Sequence, residues 1–191
     1  MKIYKKLLEG EPTVTIRFEG TLKGISAENF YKMTQDTTIR IKWDPVPKQL
    51  KVIEKTSENS DVIYVEANLP FPMSNRDFVQ ERLYLNNVDH AELVKELGLY
   101  DKPNKYYVLL IKSTEREEFP PKDKPVRGNT KMSYWFIEED PSDKNSAKVV
   151  VLQCQELKGM IPVMLVNKIA GGFPHKIIGA MLDNYPKLFG K

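Results

Sequence analysis

The chain has 191 residues, 41% hydrophobic and 29% charged, with 29 Lys and Arg against 26 Asp and Glu. That length and balance suit one soluble globular domain with a sizeable core, and a net charge of +3 is too small for the basic footprint of a nucleic-acid binder. One cysteine, Cys154, and two histidines, His90 and His175, exclude a disulfide framework and leave little for a metal centre, so no metal and no cofactor is expected.

The longest apolar run, Met160–Val166, is too short for a transmembrane helix and contains a proline. The N-terminal stretch is charged throughout and has no signal-peptide core. A cytoplasmic location is the expectation.

Strand signals dominate from the start. Lys2–Leu8 reads as a short strand. Thr13–Phe18 alternates Val14, Ile16 and Phe18 with polar residues, the period of a half-buried strand. Ser26 is a candidate N-cap for a helix that buries Phe30 and Met33 and ends before Trp43-Asp44-Pro45. Leu50–Lys55 and Asp61–Ala67 flank a turn-rich gap and read as a hairpin. Asn75–Leu85, Lys105–Lys112, Arg127–Glu138 and Ala147–Leu157 continue the strands, with a short helix at His90–Leu97 between two of them. Strands in direct succession imply an antiparallel sheet. From Pro162 onward, Leu165, Val166, Ile169, Phe173, Ile177, Ile178, Met181, Leu182 and Tyr185 form a broad apolar stripe at helical spacing. Gly171, Gly172 and Pro174 predict a kink or break inside it. The class is α+β: a long antiparallel sheet whose concave face covers a terminal amphipathic helix. A filled core and an internal cavity for an apolar ligand are both compatible with that pattern.

Three segments narrow the choice. They are Lys42-Trp43-Asp44, Pro70-Phe71-Pro72-Met73-Ser74-Asn75-Arg76-Asp77-Phe78-Val79, and Lys158-Gly159-Met160-Ile161-Pro162-Val163-Met164-Leu165-Val166-Asn167. In this order and spacing they resemble the START (StAR-related lipid transfer) domain family, nearest to its phosphatidylcholine-carrying branch. Pro120-Pro121 to Val126-Arg127 fits as well. The resemblance runs from about Thr13 to the C-terminus and leaves out the family's N-terminal helix. It therefore implies one domain over 1–191 without that helix, or a fragment of a longer chain. It also implies a helix-grip fold: a curved antiparallel sheet wrapped around a long C-terminal helix, with an internal lipid tunnel. The implied function is non-enzymatic. One phospholipid is carried between membranes by a monomer that touches them transiently. A sterol or other neutral-lipid carrier and a lipid-sensing regulatory module are the alternatives.

The resemblance places Arg40 at the lipid phosphate, where a guanidinium fork suits phosphate oxygens. The alternative is a solvated arginine at a helix end. Arg82 shares a strand face with Phe78, Gln80 and Tyr84. In sterol-binding members an arginine here pairs with an acid inside the tunnel. The position matched to that acid is Ile63, so the pair is expected to be broken, leaving Arg82 to a head group or to Glu66 or Glu81. Arg76 and Asp77 read as anchors of the loop before the strand. In the phosphatidylcholine-carrying branch three aromatic rings surround the choline. The matching positions are Val65, Phe78 and Lys131, only one of them aromatic, so a broader phospholipid range is expected. Tyr64, Tyr84, Tyr107, Tyr134 and Trp135 are the rings left to build another cage. Phe71, supported by Met73, is the candidate membrane-contact residue, or else a gate packed on the terminal helix. Ile169, Phe173 and Ile177 are candidate acyl-chain contacts, and Gly171-Gly172 is the candidate hinge. Cys154 and His175 read as structural.

Overall fold

The computed structural model describes residues 2–7, 13–99, 103–159, 161 and 163–190, with the side chains of residues 5, 7, 13–14, 163–171 and 173 left aside. Nine strands of the described residues form one sheet. They are β1 (Lys2–Leu7), β2 (Thr13–Leu22), β3 (Pro47–Ser57), β4 (Ser60–Ala67), β5 (Arg76–Asn86), β6 (Tyr106–Ser113), β7 (Val126–Arg127), β8 (Asn129–Asp140) and β9 (Asp143–Glu156). The sheet order is β1-β2-β9-β8-β6-β5-β4-β3, antiparallel throughout, and β7 pairs parallel to the start of β5. The sheet is curved and does not close. The helix-grip class expected from the sequence is the observed one.

The chain must travel from β2 to the far edge strand β3, and it does so through two helices, α1 (Ala27–Gln35) and α2 (Thr37–Trp43). The sequence predicts one helix here. Asp36 divides it: its extended backbone ends α1, and its carboxylate caps α2 by accepting from the amides of Thr38 (2.8 Å) and Ile39 (3.3 Å). Ser26 caps α1 as expected, accepting from the Asn29 amide at 3.3 Å. Ala27, Phe30 and Met33 face inward, and α1 packs on β6, β8 and β9. The Trp43 indole donates to the Met33 carbonyl at 2.9 Å and locks α2 back onto α1. The short helix α3 (Ala91–Glu96) follows β5 on the convex side and covers a small cluster of Leu85, Val94, Tyr106, Val108 and Phe136.

The terminal helix, α4 (Val163–Phe189), lies against α2, β1 and β2. It runs unbroken through Gly171, Gly172 and Pro174, so of the expected kink or break the break is absent. A proline removes one amide donor and glycine weakens a helix, but neither forbids one when tertiary packing holds the backbone. Ile177 and Met181 enter the main core with Phe18, Phe30, Trp43, Trp135 and Val151. Asn29 donates to the Tyr185 hydroxyl at 2.9 Å, a polar tie between α1 and α4. Among the described residues no helix is long and apolar enough to cross a membrane.

Candidate functional site

Strand alternation puts Asp61, Ile63 and Val65 of β4 on one face with Phe78, Gln80, Arg82 and Tyr84 of β5, and the register pairs Asp61 with Arg82, Ile63 with Gln80, and Val65 with Phe78. This is the face that carries the main core and meets α1 and α4. It mixes apolar walls with a few fixed polar groups, the composition of a ligand site.

The expectation that Arg82 has lost its buried acidic partner is wrong. Its Nε and Nη2 donate to the two oxygens of Asp61, both at 2.7 Å, and its Nη1 donates to the Gln35 carbonyl at 2.8 Å. Arg82 is 1% exposed and Asp61 2%. The acid stands two residues before Ile63, one step along the same face. Neither Glu66 nor Glu81 reaches Arg82. Glu66 accepts from Lys48 and Asn75, and Glu81 pairs with Lys112.

Arg40 is not a solvated helix-end residue. Its side chain is 20% exposed, and its Nε donates to the buried Asp44, one turn later, at 2.9 Å. Asp44 also accepts from the Val46 amide at 3.0 Å. The two Nη groups of Arg40 make no hydrogen bond among the described residues. Arg40 lines a cavity of about 30 Å³ with Phe18, Trp43, Trp135, Gln153 and Ile177. Two of the candidates, Arg40 and Ile177, are thereby brought together, and Gln153 joins them as a polar group that the sequence reading missed. Gln153 sits on an alternating strand beside Val149 and Val151, and that periodicity was its available signal.

The aromatic candidates separate. Tyr84, Tyr107 and Trp135 lie in the main core, whereas Tyr134 stacks beside Phe136 on the opposite face and Tyr64 packs on Phe119. They do not form one cage. The Lys55 ammonium lies 4.6 Å from the centre of the Tyr84 ring, and that of Lys105 5.3 Å from Tyr107. These two rings already hold cations of the chain itself. Tyr31, absent from the candidates, stacks on Tyr107 at 4.7 Å, and burial raises its phenol above the ordinary range. The Tyr84 hydroxyl is buried without a partner among the described residues, an uncommon and costly state.

Val65 and Phe78 are buried side by side, and the Phe78 ring lies directly over Gly128, where a Cβ would stand 2.3 Å from it. Lys131 does not join them. A β-bulge between Thr130 and Met132 turns Lys131 away, and its ammonium pairs with Glu156 at 2.9 Å. The inward neighbour is Thr130, which accepts from Gln80 at 2.7 Å.

Phe71 is 95% exposed, so it is not packed on the terminal helix here, while Met73 is half-buried. Gly172 is exposed, and no atom stands within 4 Å of a Cβ built on it. Ile169, Phe173 and Gly171 lie outside the residues whose side chains are described; their backbone is helical. Asp77 receives both arms of Arg127, at 3.0 and 2.9 Å, which ties β7 to β5. A larger cavity of about 440 Å³ opens near the loop before β7, lined by Val79, Arg116, Phe119, Arg127 and Lys158. Both arginines there are engaged by Glu54 and Asp77. Among the described residues no cluster of His, Cys, Asp and Glu is placed to hold a metal.

Comparison with known proteins gives a consistent picture. A family model described as START domain matches residues 1–173. Mouse phosphatidylcholine transfer protein is 30% identical over 97% of this chain and 80% of its own length. Mouse StAR-related lipid transfer protein 7, mitochondrial, is 24% identical over 91% of this chain and 43% of its own length. The crystal structure of human STARD10 matches with a TM-score of 0.72 at 23% identity, covering 97% of this chain and 70% of that one. Human StAR-related lipid transfer protein 5 matches with a TM-score of 0.74 at 19% identity, covering 97% and 80%.

Proposed function

The chain belongs to the START domain family, and from that premise we propose a non-enzymatic carrier that holds one phospholipid between the concave face and α4 and exchanges it with membranes. The observation that carries this reading is Arg40. Its fork is held by Asp44 yet keeps both Nη groups unbonded among the described residues, beside Gln153 and against apolar walls. A phosphate diester is the lipid group that such a fork suits. The Tyr84 hydroxyl, without a partner among the described residues, adds a donor for a lipid oxygen. The protein acts as a cytoplasmic monomer with transient membrane contact.

The head-group range is broad rather than strictly phosphatidylcholine. Phe78 has no ring partner among the described residues, and the Tyr84 and Tyr107 rings face lysines. A choline cage needs several free ring faces. The test is transfer of labelled phospholipids between vesicles, with transfer no faster than a boiled control as the refuting result. A sterol carrier is the second reading, because the buried Arg82–Asp61 pair restores the feature whose absence spoke against it. Fluorescent sterol that binds and resists displacement by phospholipid favours that reading.

Phe71 is the membrane contact in this scheme. Phe71→Ala is expected to slow transfer several-fold while equilibrium loading stays near that of the parent, as an aromatic ring lost from the interface predicts. Equal losses in rate and loading contradict the role. The hinge has its own test. Gly172→Ala fills open space on an unbroken helix and is expected to stabilise the protein by up to about 1 kcal/mol. If α4 bends there during exchange, transfer slows as the melting temperature rises; unchanged transfer removes the hinge.

A further inference from the structure

Arg76 opens β5 and is 3% exposed. No carboxylate pairs with it among the described residues, and burial lowers its pKa. Its charge is met by backbone carbonyls from two separate segments. Nη1 donates to Ser74 at 2.5 Å and Asn75 at 3.4 Å, both in the loop that carries Phe71. Nε donates to the carbonyl of Leu157, and Nη2 to that of Lys158 at 2.9 Å, both in the stretch that leads from β9 to α4.

That stretch is shaped for the purpose. Lys158 has φ +48°, a left-handed conformation unusual for a residue with a side chain, and Gly159 follows at φ +73°. Two left-handed residues in succession turn the chain beside the guanidinium. A Cβ on Gly159 would lie 3.4 Å from Nη2. On the other side, Asp77 is held by Arg127 and cannot follow the loop. A buried cation whose partners are carbonyls on two segments penalises separation of either one, because each lost carbonyl leaves charge unsatisfied in a dry setting. The Phe71 loop and the leader of α4 therefore move together or not at all.

We propose that Arg76 is a positioning residue that couples the Phe71 loop to the leader of α4, so that displacement of the loop at a lipid surface is transmitted to the helix covering the concave face. The proposal rests on the carrier reading above. It assigns a mechanical role to a side chain that touches neither lipid nor membrane.

The test uses the full chain and vesicles of phosphatidylcholine and phosphatidylserine. Co-sedimentation measures vesicle binding, and hydrogen exchange over residues 157–170 measures the helix response. The parent protein is expected to bind and to show exchange in that span raised about tenfold. Arg76→Lys keeps the charge but cannot span both sets of carbonyls. It is expected to bind vesicles equally while its exchange response falls to less than about a third of the parent's. Gly159→Asn, which tolerates the left-handed backbone but sets an amide side chain against Nη2 to compete for its bonds, is expected to show the same uncoupling in a variant whose Arg76 is intact. In the Arg76→Lys background, adding Phe71→Ala should change the transfer rate little. An undiminished exchange response in both variants overturns the coupling, as does a parent that binds vesicles with no response. A parent that fails to bind vesicles overturns the membrane-contact reading itself and the coupling with it.

Discussion

Asp61→Ala lowers the unfolding free energy by about 3–5 kcal/mol, the cost of leaving a buried arginine without its acid. At this chain length that is a fall of roughly 10 °C in melting temperature. The size follows from the geometry. Arg82 forks onto both oxygens of Asp61 and uses its remaining arm to hold the Gln35 carbonyl at the end of α1. The pair thus joins the floor of the concave face to the helix that crosses it. Neither residue has solvent to fall back on. The double variant Asp61→Leu/Arg82→Met is expected to recover most of the loss, because replacing both members of a buried pair removes the unpaired charge. Loss of the Gln35 contact keeps the recovery incomplete. A single variant that melts within a degree or two of the parent refutes the assignment.

Arg40→Lys reduces co-purifying phospholipid at least about tenfold, the effect of losing one good charge-assisted bond to a phosphate. Lysine keeps the charge that the buried Asp44 needs but loses the planar fork. The melting temperature should therefore move little. Arg40→Glu is the wrong variant for this purpose. It would set a second carboxylate beside Asp44, whose side chain is 2% exposed, and a stability loss would be confused with a binding loss. Mass spectrometry of extracted lipid, beside thermal melting, separates the two. Unchanged occupancy in Arg40→Lys places the phosphate elsewhere.

The fold was largely legible in the residues. Alternation located the main strands, and each differs from its observed range by a few residues at the ends. The division of the inner helix into α1 and α2 was not legible, because the apolar spacing of Phe30, Met33 and Trp43 continues across Asp36 while the backbone does not. An aspartate can cap a helix, but capping strength alone does not say whether a helix pauses or continues there. The unbroken α4 shows the reverse case: glycines and a proline signal a break that neighbouring α2, β1 and β2 override.

The site was legible in part, and its errors share one cause. Side-chain direction in a sheet is fixed by register, and sequence matching fixes register only to within a step or two. Asp61 and Ile63 differ by one such step, so the right face was chosen with the wrong residue. Lys131 was misplaced by a bulge, which no composition rule at Asn129–Lys131 announces. The Arg40–Asp44 pair was readable from its four-residue spacing on a helix. The carbonyl partners of Arg76 were not, since two of them lie eighty-one and eighty-two positions away and have no side-chain signature.

The central claim is that the concave face beneath α4 holds one phospholipid. The most direct measurement is native mass spectrometry of the full chain purified from a eukaryotic host, followed by identification of the released lipid. The expected result is a single glycerophospholipid per chain, drawn from more than one head-group class and reduced by Arg40→Lys. A chain that carries only sterol, or no lipid at all, contradicts the account.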